Sequence, residues 1–473
     1  MPKKTSQSCI RPVIRTKPWR KGTVGSWRSG MKLLSLENPV RETCLPTGGK
    51  YRDPVMRKIT LLSLSQLLLS AALQLAFAQN TNPQTPDFNP SRQAVITSGR
   101  SDGRFLSTYG VAHAMLKHTQ PKYAFNPDFT PEEFARWQIG VQTAMEELMR
   151  HPDLTSGLPP VCISSEQKDG YRQEKWEFYP LPECVSTFFV LIPDDATAAR
   201  PAVLCIPGSG MTKEHLIGER SANPHAAMAR NIAKRGYVAV AVDNAASGEA
   251  SDLEETTGIG YDYDTPSRML LELGWSWLGY TSYLDRQVLE WMKTRPEIRS
   301  DRIVVSGFSL GTEPLMVLGA LDKSIYGFVY NDFLCNTLER AIVMTRPDGN
   351  GRRPFPNSIR HLIPRFWEYF NFPDIVASLA PRPVILTEGG MDRDFDLVRR
   401  AYEISGHPEN AELHHYPKYA DPSARRPMSA LPEGLDRTEY FDLVNCDSPN
   451  HYFKDELILP WLDRIFADPL RPE

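Results

Sequence analysis

The chain has 473 residues, 41% hydrophobic and 23% charged, with a formal net charge of −3. This is ordinary globular composition, long enough for one large α/β domain with additions or for two to three domains of typical size. The charge is uneven: residues 1–55 hold 12 Lys/Arg against 3 Asp/Glu, a net of +9, which leaves −12 for the remainder, and an acidic body argues against nucleic acid as a partner.

Residues 1–55 have no periodicity and scatter Pro, Gly and Arg, which reads as an over-extended or disordered leader. Met56 then opens a second beginning. Arg57 and Lys58 form a charged n-region, Leu61–Leu75 is leucine-rich, and Ala76-Phe77-Ala78 is a small-x-small cleavage site before Gln79. Residues 56–78 are therefore expected to be a signal peptide, and the mature protein to be secreted or periplasmic. Ser63, Ser65, Gln66, Ser70 and Gln74 make this segment a poor permanent span, so no stable membrane anchor is expected after cleavage. Five cysteines follow the cleavage site: Cys162, Cys184, Cys205, Cys335 and Cys446. Five is odd, so at least one is free or pairs between chains. Cys205 lies in an apolar run and reads as a buried thiol. No spacing resembles a zinc site.

Residues 79–170 are expected to be an N-terminal helical extension that packs on the main domain without carrying chemistry. Its first part, rich in Asn, Pro, Ser and Gln, reads as flexible. Helices are predicted over Leu106–His118 and Pro131–Met149. The second has Thr130 as N-cap, Pro131 at the first helical position and Glu133 completing a capping box.

From Tyr171 the rhythm changes to an α/β domain running to residue 473. Trp176–Tyr179 and Thr187–Ile192 read as antiparallel neighbours. Ala202–Ile206, Tyr237–Val242, Ile303–Val305, Tyr326–Tyr330, Pro383–Thr387 and Glu412–Tyr416 read as further strands. The helical segments between and after them are Pro224–Arg235, Tyr280–Lys293, Thr312–Leu321 and Asp455–Phe466. Apolar runs alternating with helices imply crossovers around a buried parallel sheet. Residues 244–279 and 335–375 interrupt the alternation, and connections that long are usually lids or binding loops. They carry Trp275, Trp277, His361 and Trp367 as candidate substrate contacts, since aromatic faces suit sugar rings.

The chemistry centres on Gly307-Phe308-Ser309-Leu310-Gly311, between a strand and a helix. A serine there projects its hydroxyl out of the sheet from a strained backbone, and flanking glycines let neighbouring backbone pass close by. Serine needs a base oriented by a third group. His451, before the last helix, is the expected base. Asp392, after the Pro383–Thr387 strand, is the expected acid, with Glu388 at the strand end as runner-up. Asp394 and Asp396 read as charges at a helix N-terminus, Asp243 as a structural turn acid. His414 and His415 fall inside a predicted strand and read as structural; His407 sits at a helix end. Two backbone donors are required for an oxyanion. Leu310 is expected to supply one, and Ser209 or Gly210, after the Ala202–Ile206 strand, the other. Glu313 reads as a helix-dipole charge rather than a pocket residue.

The segments Cys205-Ile206-Pro207-Gly208-Ser209-Gly210, Gly307–Gly311, Ala380-Pro381-Arg382-Pro383, Gly389-Gly390-Met391-Asp392 and His451-Tyr452-Phe453 together resemble the α/β-hydrolase superfamily, over about residues 171–468. Within it the chain is similar to the exported branch of acetylxylan esterases and dienelactone-hydrolase-like proteins. The resemblance implies a mostly parallel eight-stranded sheet flanked by helices, a Ser–His–Asp triad, no cofactor, and a small-molecule or polysaccharide ester as substrate. A serine peptidase or lactone hydrolase, and a catalytically silent binding protein, are the alternatives.

Overall fold

A computed structural model describes residues 96–467, except 153–155, 195–197, 254–259, 348–350 and 354–358. The expected leader, the signal segment and residues 79–95 lie outside the described residues.

Nine strands form one sheet: β1 (Val161–Lys168), β2 (Tyr171–Phe178), β3 (Ser186–Pro193), β4 (Arg200–Ile206), β5 (Val238–Val242), β6 (Ile298–Phe308), β7 (Gly327–Asn331), β8 (Val384–Leu386) and β9 (Ala411–Leu413). Their spatial order is β1-β2-β3-β5-β4-β6-β7-β8-β9. The pairs from β1 to β5 are antiparallel and those from β5 to β9 are parallel. The eight expected strands are present. β1 is an addition that the sequence reading did not contain: it is exposed over nearly its whole length and pairs only with β2. Its Ser-Ser-Glu-Gln-Lys run offers no apolar pattern, because an outer edge strand needs only a neighbour's backbone.

Strands β5 and β7 are buried at every residue, which is why they read as unbroken apolar runs. Alternation sends Ala202, Leu204 and Ile206 of β4 to one face and Val203 and Cys205 to the other. The first face packs on helices Pro131–Met149, Trp277–Met292 and Thr312–Leu321, the second on Met228–Lys234 and Asp455–Ala467. Burying each Val, Leu or Ile side chain here stabilises by about 1.5–3 kcal/mol. The capping box at Thr130 forms as expected, with Glu133 N donating to Thr130 Oγ1 at 3.2 Å and Thr130 N to Glu133 Oε2 at 2.9 Å. The predicted Pro224–Arg235 helix is instead a 3₁₀ turn, Pro224–Ala226, followed by a helix over Met228–Lys234. All five cysteines named above are free thiols, and burial pushes that of Cys205 far above its ordinary range. Among the described residues no helix is long and apolar enough to cross a membrane.

The parallel half of the sheet fixes where chemistry can occur. Strands β4, β6, β7 and β8 are successive neighbours running the same way. Their carboxyl ends open on one edge, where ligands bind in open α/β sheets. The residues just past those ends are Gly208–Gly210, Ser309, Asp332 and Glu388.

Candidate active site

Ser309 follows the last residue of β6 and has φ 51°, a left-handed value that a non-glycine residue adopts at a cost of about 1–3 kcal/mol. Its surroundings account for both glycines of the elbow. A Cβ on Gly307 would stand 2.3 Å from the Gly311 carbonyl oxygen, and one on Gly311 would stand 2.4 Å from that of Ile206. Thr312 Oγ1 donates to the Ser309 carbonyl at 2.7 Å and closes the turn into the Thr312–Leu321 helix. The backbone has no room to yield, so Gly307→Ala is expected to destabilise the fold by about 1–3 kcal/mol. Thermal denaturation checks this; an unchanged melting temperature would contradict the packing described.

His451 and Ser309 line the same cavity, of about 1020 Å³. The ring of His451 stacks on that of Phe308, centroids 4.7 Å apart. No hydrogen bond joins Ser309 Oγ to His451 in this arrangement; catalytic contacts are often open without substrate and tighten when it arrives. The Nδ1 of His451 is 2.5 Å from Glu388 Oε2. Glu388 is fully buried and also accepts from Tyr452 N at 3.1 Å and Lys454 Nζ at 2.8 Å. Asn331, at the end of β7, donates to the Tyr452 carbonyl and accepts from Lys454 N, which ties the His451 loop to the sheet.

The expected acid, Asp392, is not the partner of His451. It is the first residue of the Asp392–Ile404 helix, its side chain is 45% exposed, and it pairs with His415 Nε2 at 3.1 Å and Arg425 Nε at 3.0 Å. The reason is the turn between them. Gly389 (φ 77°) and Gly390 (φ 153°) swing the chain away from the strand end, so a residue four positions after Glu388 leaves the site. Glu388 itself stays where the strand points. His414 lies just past β9 against Glu412. Asp243, read as structural, pairs with the buried Lys213 at 2.5 Å.

Asp332, beyond the end of β7, was absent from the sequence reading. One ligating atom each of Asp332, Glu388 and His451 lies within 4.8 Å of the others. Such a cluster can hold a metal ion, but here the Lys454 ammonium already sits on Glu388 and supplies the cation. Burial pushes the Asp332 carboxyl up to about 7, with the negative charge of Glu388 adding to it and His451 opposing it. For His451, burial lowers the imidazole, but the Glu388 hydrogen bond and the charges of Asp332 and Glu388 outweigh it, so the ring is held above its ordinary 6.5. A general base must be unprotonated, so the acid limb of the kcat/KM–pH profile is expected above pH 6.5. Asp332→Asn removes one charge that favours the imidazolium and should move that limb to lower pH. A limb that stays in place in the variant would show that Asp332 does not act on His451.

The oxyanion candidates separate. Leu310, directly after Ser309, is buried. Gly210 N–H already donates to the Tyr263 hydroxyl at 3.1 Å, which leaves Ser209 as the open backbone donor after β4. Ser209 and Leu310 both line the cavity, and Ser209 Oγ accepts from Arg360 Nη2 at 3.1 Å.

Of the four expected substrate contacts, His361 and Trp367 line the cavity and Trp275 and Trp277 do not. Trp277 is core, 1% exposed, with Nε1 on the Ala245 carbonyl; Trp275 Nε1 donates to the Met149 carbonyl. Both indoles are spent on backbone acceptors because Trp277 starts the Trp277–Met292 helix and Trp275 stands just before it, against the sheet-packing layer. The 335–375 insertion forms the cavity wall, while no described residue of 244–279 does. One further expectation is corrected. Glu313 faces the cavity, bonded to His361 Nδ1. The Thr108–His118 helix contributes Ala112, Met115 and Leu116 to the apolar wall, so the N-terminal extension shapes the site.

The sequence profile of the Abhydrolase family matches residues 87–464. The crystal structure of a "putative acetyl xylan esterase" from Bacteroides fragilis NCTC 9343 is similar at 64% identity and TM-score 0.77, over 80% of this chain and 100% of that one. More distant likenesses include a glucuronoyl esterase from Solibacter usitatus (13% identity, TM-score 0.42, 61% of this chain and 88% of that one). Another is acetyl xylan esterase 1 from Thermoanaerobacterium sp. JW/SL YS485 (16% identity, TM-score 0.37, 67% and 94%). Comparison with curated proteins gives no match. With a strand–serine–helix elbow on a mostly parallel sheet and a family profile covering most of its length, the chain belongs to the Abhydrolase family and has the α/β-hydrolase fold.

Proposed function

We propose that the protein is an exported serine carboxylic-ester hydrolase that removes acetyl or other short acyl groups from a carbohydrate, with Ser309 as nucleophile, His451 as base and Glu388 as acid. One observation carries the reading: a serine held at φ 51° shares a cavity with an imidazole whose far nitrogen is fixed by a buried carboxylate. The 64%-identical neighbour, a "putative acetyl xylan esterase", supports the substrate class. The Met56–Ala78 pattern supports export.

In this mechanism His451 Nε2 takes the Ser309 proton as Oγ attacks the ester carbonyl. Glu388 holds Nδ1–H, fixes the tautomer and stabilises the imidazolium. The N–H groups of Leu310 and Ser209 hold the tetrahedral oxygen. His451 gives its proton to the departing alcohol, leaving an acyl-serine. It then takes a proton from water, which attacks the acyl carbon, and returns that proton to Ser309 Oγ as the acyl–oxygen bond breaks, releasing the carboxylic acid and free serine.

Acetate release from acetylated xylan, measured beside peptide cleavage and fluorophosphonate labelling of Ser309, tests the reading. Labelling with ester turnover is expected. Peptide cleavage without deacetylation would favour a peptidase, lactone opening alone a lactone hydrolase, and absence of labelling a binding protein.

A further inference from the structure

The charges that line the cavity are mostly matched. Arg365 pairs with Glu147 and Glu368, and Glu313 with His361. Three arginines of the lining meet no carboxylate among the described residues; Arg360 is held by the Ser209 hydroxyl and the Tyr263 ring, which leaves Arg340 and Arg437. Arg340, from the Thr337–Val343 helix, has a buried Nε without a hydrogen-bond partner, and neither it nor Arg437 meets a carboxylate among the described residues. Both lie over the Phe441 ring, at 5.8 Å and 4.8 Å from its centroid, so the two guanidiniums share one aromatic support. Arg437 is moreover the first residue of the Arg437–Leu443 helix, where the helix dipole disfavours a cation. Its guanidinium is lowered from its usual range by burial and by the positive charge of Arg340. Arg340 is half-buried and Arg437 exposed, both line the cavity, and two like charges on one stretch of wall, one at the wrong end of a helix, favour an anion near them. The arrangement stands out further because residues 56–473 carry a net charge of −12, the total of −3 less +9 for residues 1–55.

We propose that Arg340 and Arg437 form an anion subsite of the catalytic cavity, which takes a carboxylate or sulfate on the substrate, so that the esters cleaved are those of acidic rather than neutral glycans. This rests on the esterase reading above for its chemistry but not for the binding itself. Guanidinium forks suit the task, since each can donate two parallel N–H bonds to a carboxylate or sulfate. Tyr440 and Phe441 lie under the Arg340 guanidinium, and Phe441 under that of Arg437.

The test measures hydrolysis of 4-nitrophenyl acetate by the mature chain at constant ionic strength, with glucuronate, glucose 6-sulfate or glucose as competitor. Competitive inhibition by one or both anions and none by glucose is expected; which anion inhibits more strongly identifies the source. Arg340→Gln and Arg437→Gln should each raise that inhibition constant on the order of tenfold, and Arg340→Lys by less. Equal effects of all three sugars, or anion inhibition that survives both glutamine variants, overturns the subsite. If 4-nitrophenyl acetate is not hydrolysed at all, the esterase reading fails. Saturation-transfer NMR with glucuronate and glucose 6-sulfate against glucose then decides the subsite separately: anion-selective transfer, lost in Arg340→Gln, supports it, and unselective or absent transfer rejects it.

Discussion

Ser309→Ala is expected to bring hydrolysis of 4-nitrophenyl acetate down by about 10⁶-fold, because no other group can carry the acyl intermediate and the base then has no proton to take. Folding should be intact. The alanine keeps a Cβ at the same φ of 51°, so the elbow strain is unchanged and the melting temperature should match that of the parent. Ser309→Gly provides an internal control. It should be equally inactive but more stable than Ser309→Ala by about 1 kcal/mol, since glycine reaches left-handed φ without the Cβ clash. Thermal melts and initial rates on the three proteins read both effects. Appreciable turnover by Ser309→Ala would remove the nucleophile, and with it the acyl-enzyme.

The second large effect separates two carboxylates. Glu388→Gln is expected to lower kcat by about 10⁴-fold, since an amide holds His451 in the wrong tautomer and cannot stabilise the imidazolium. Asp392→Asn should cost less than tenfold, because that side chain answers to His415 and Arg425 and not to His451. Glu388→Gln also strips the buried Lys454 of its counter-charge, an effect of about 3–5 kcal/mol on stability. The rates must therefore be compared well below the variant's own melting temperature. The reverse ranking, with Asp392→Asn the crippled enzyme and Glu388→Gln active, would return the acid to position 392.

The expectation of Asp392 rather than Glu388 beside His451 has a physical cause. Gly389-Gly390-Met391-Asp392 looks like the turn that presents an aspartate, but a segment with φ of 77° and 153° can send the following residue either way. The strand end gives the surer signal. Ser309, Asp332 and Glu388 each stand one or two residues past a strand of the parallel half, and adjacent strands lie about 4.8 Å apart. A carboxylate immediately beyond Asn331 was therefore readable as a neighbour of the elbow. It was missed because its meaning depends on β7 lying between β6 and β8, and strand order is not written in any one segment. The tryptophans failed for a related reason. Trp277 and Trp367 are alike as sequence, yet one indole ends 1% exposed on a backbone carbonyl and the other donates to Thr337 Oγ1 at the cavity wall.

Local patterns determined a good deal unaided: the parallel sheet, from apolar runs that need burial on both faces; the Pro131–Met149 helix, from its cap; and the elbow serine with its two glycines, from a turn too tight for a Cβ. These are decided by interactions within a few residues. Only the tertiary structure decided which carboxylate faces His451, which aromatic rings reach the cavity, that the Thr108–His118 helix walls it, and that Arg340 and Arg437 both line it. Those side chains come from segments separated by tens to hundreds of residues, and their meeting is set by how the sheet orders its strands and by where the loops between them turn.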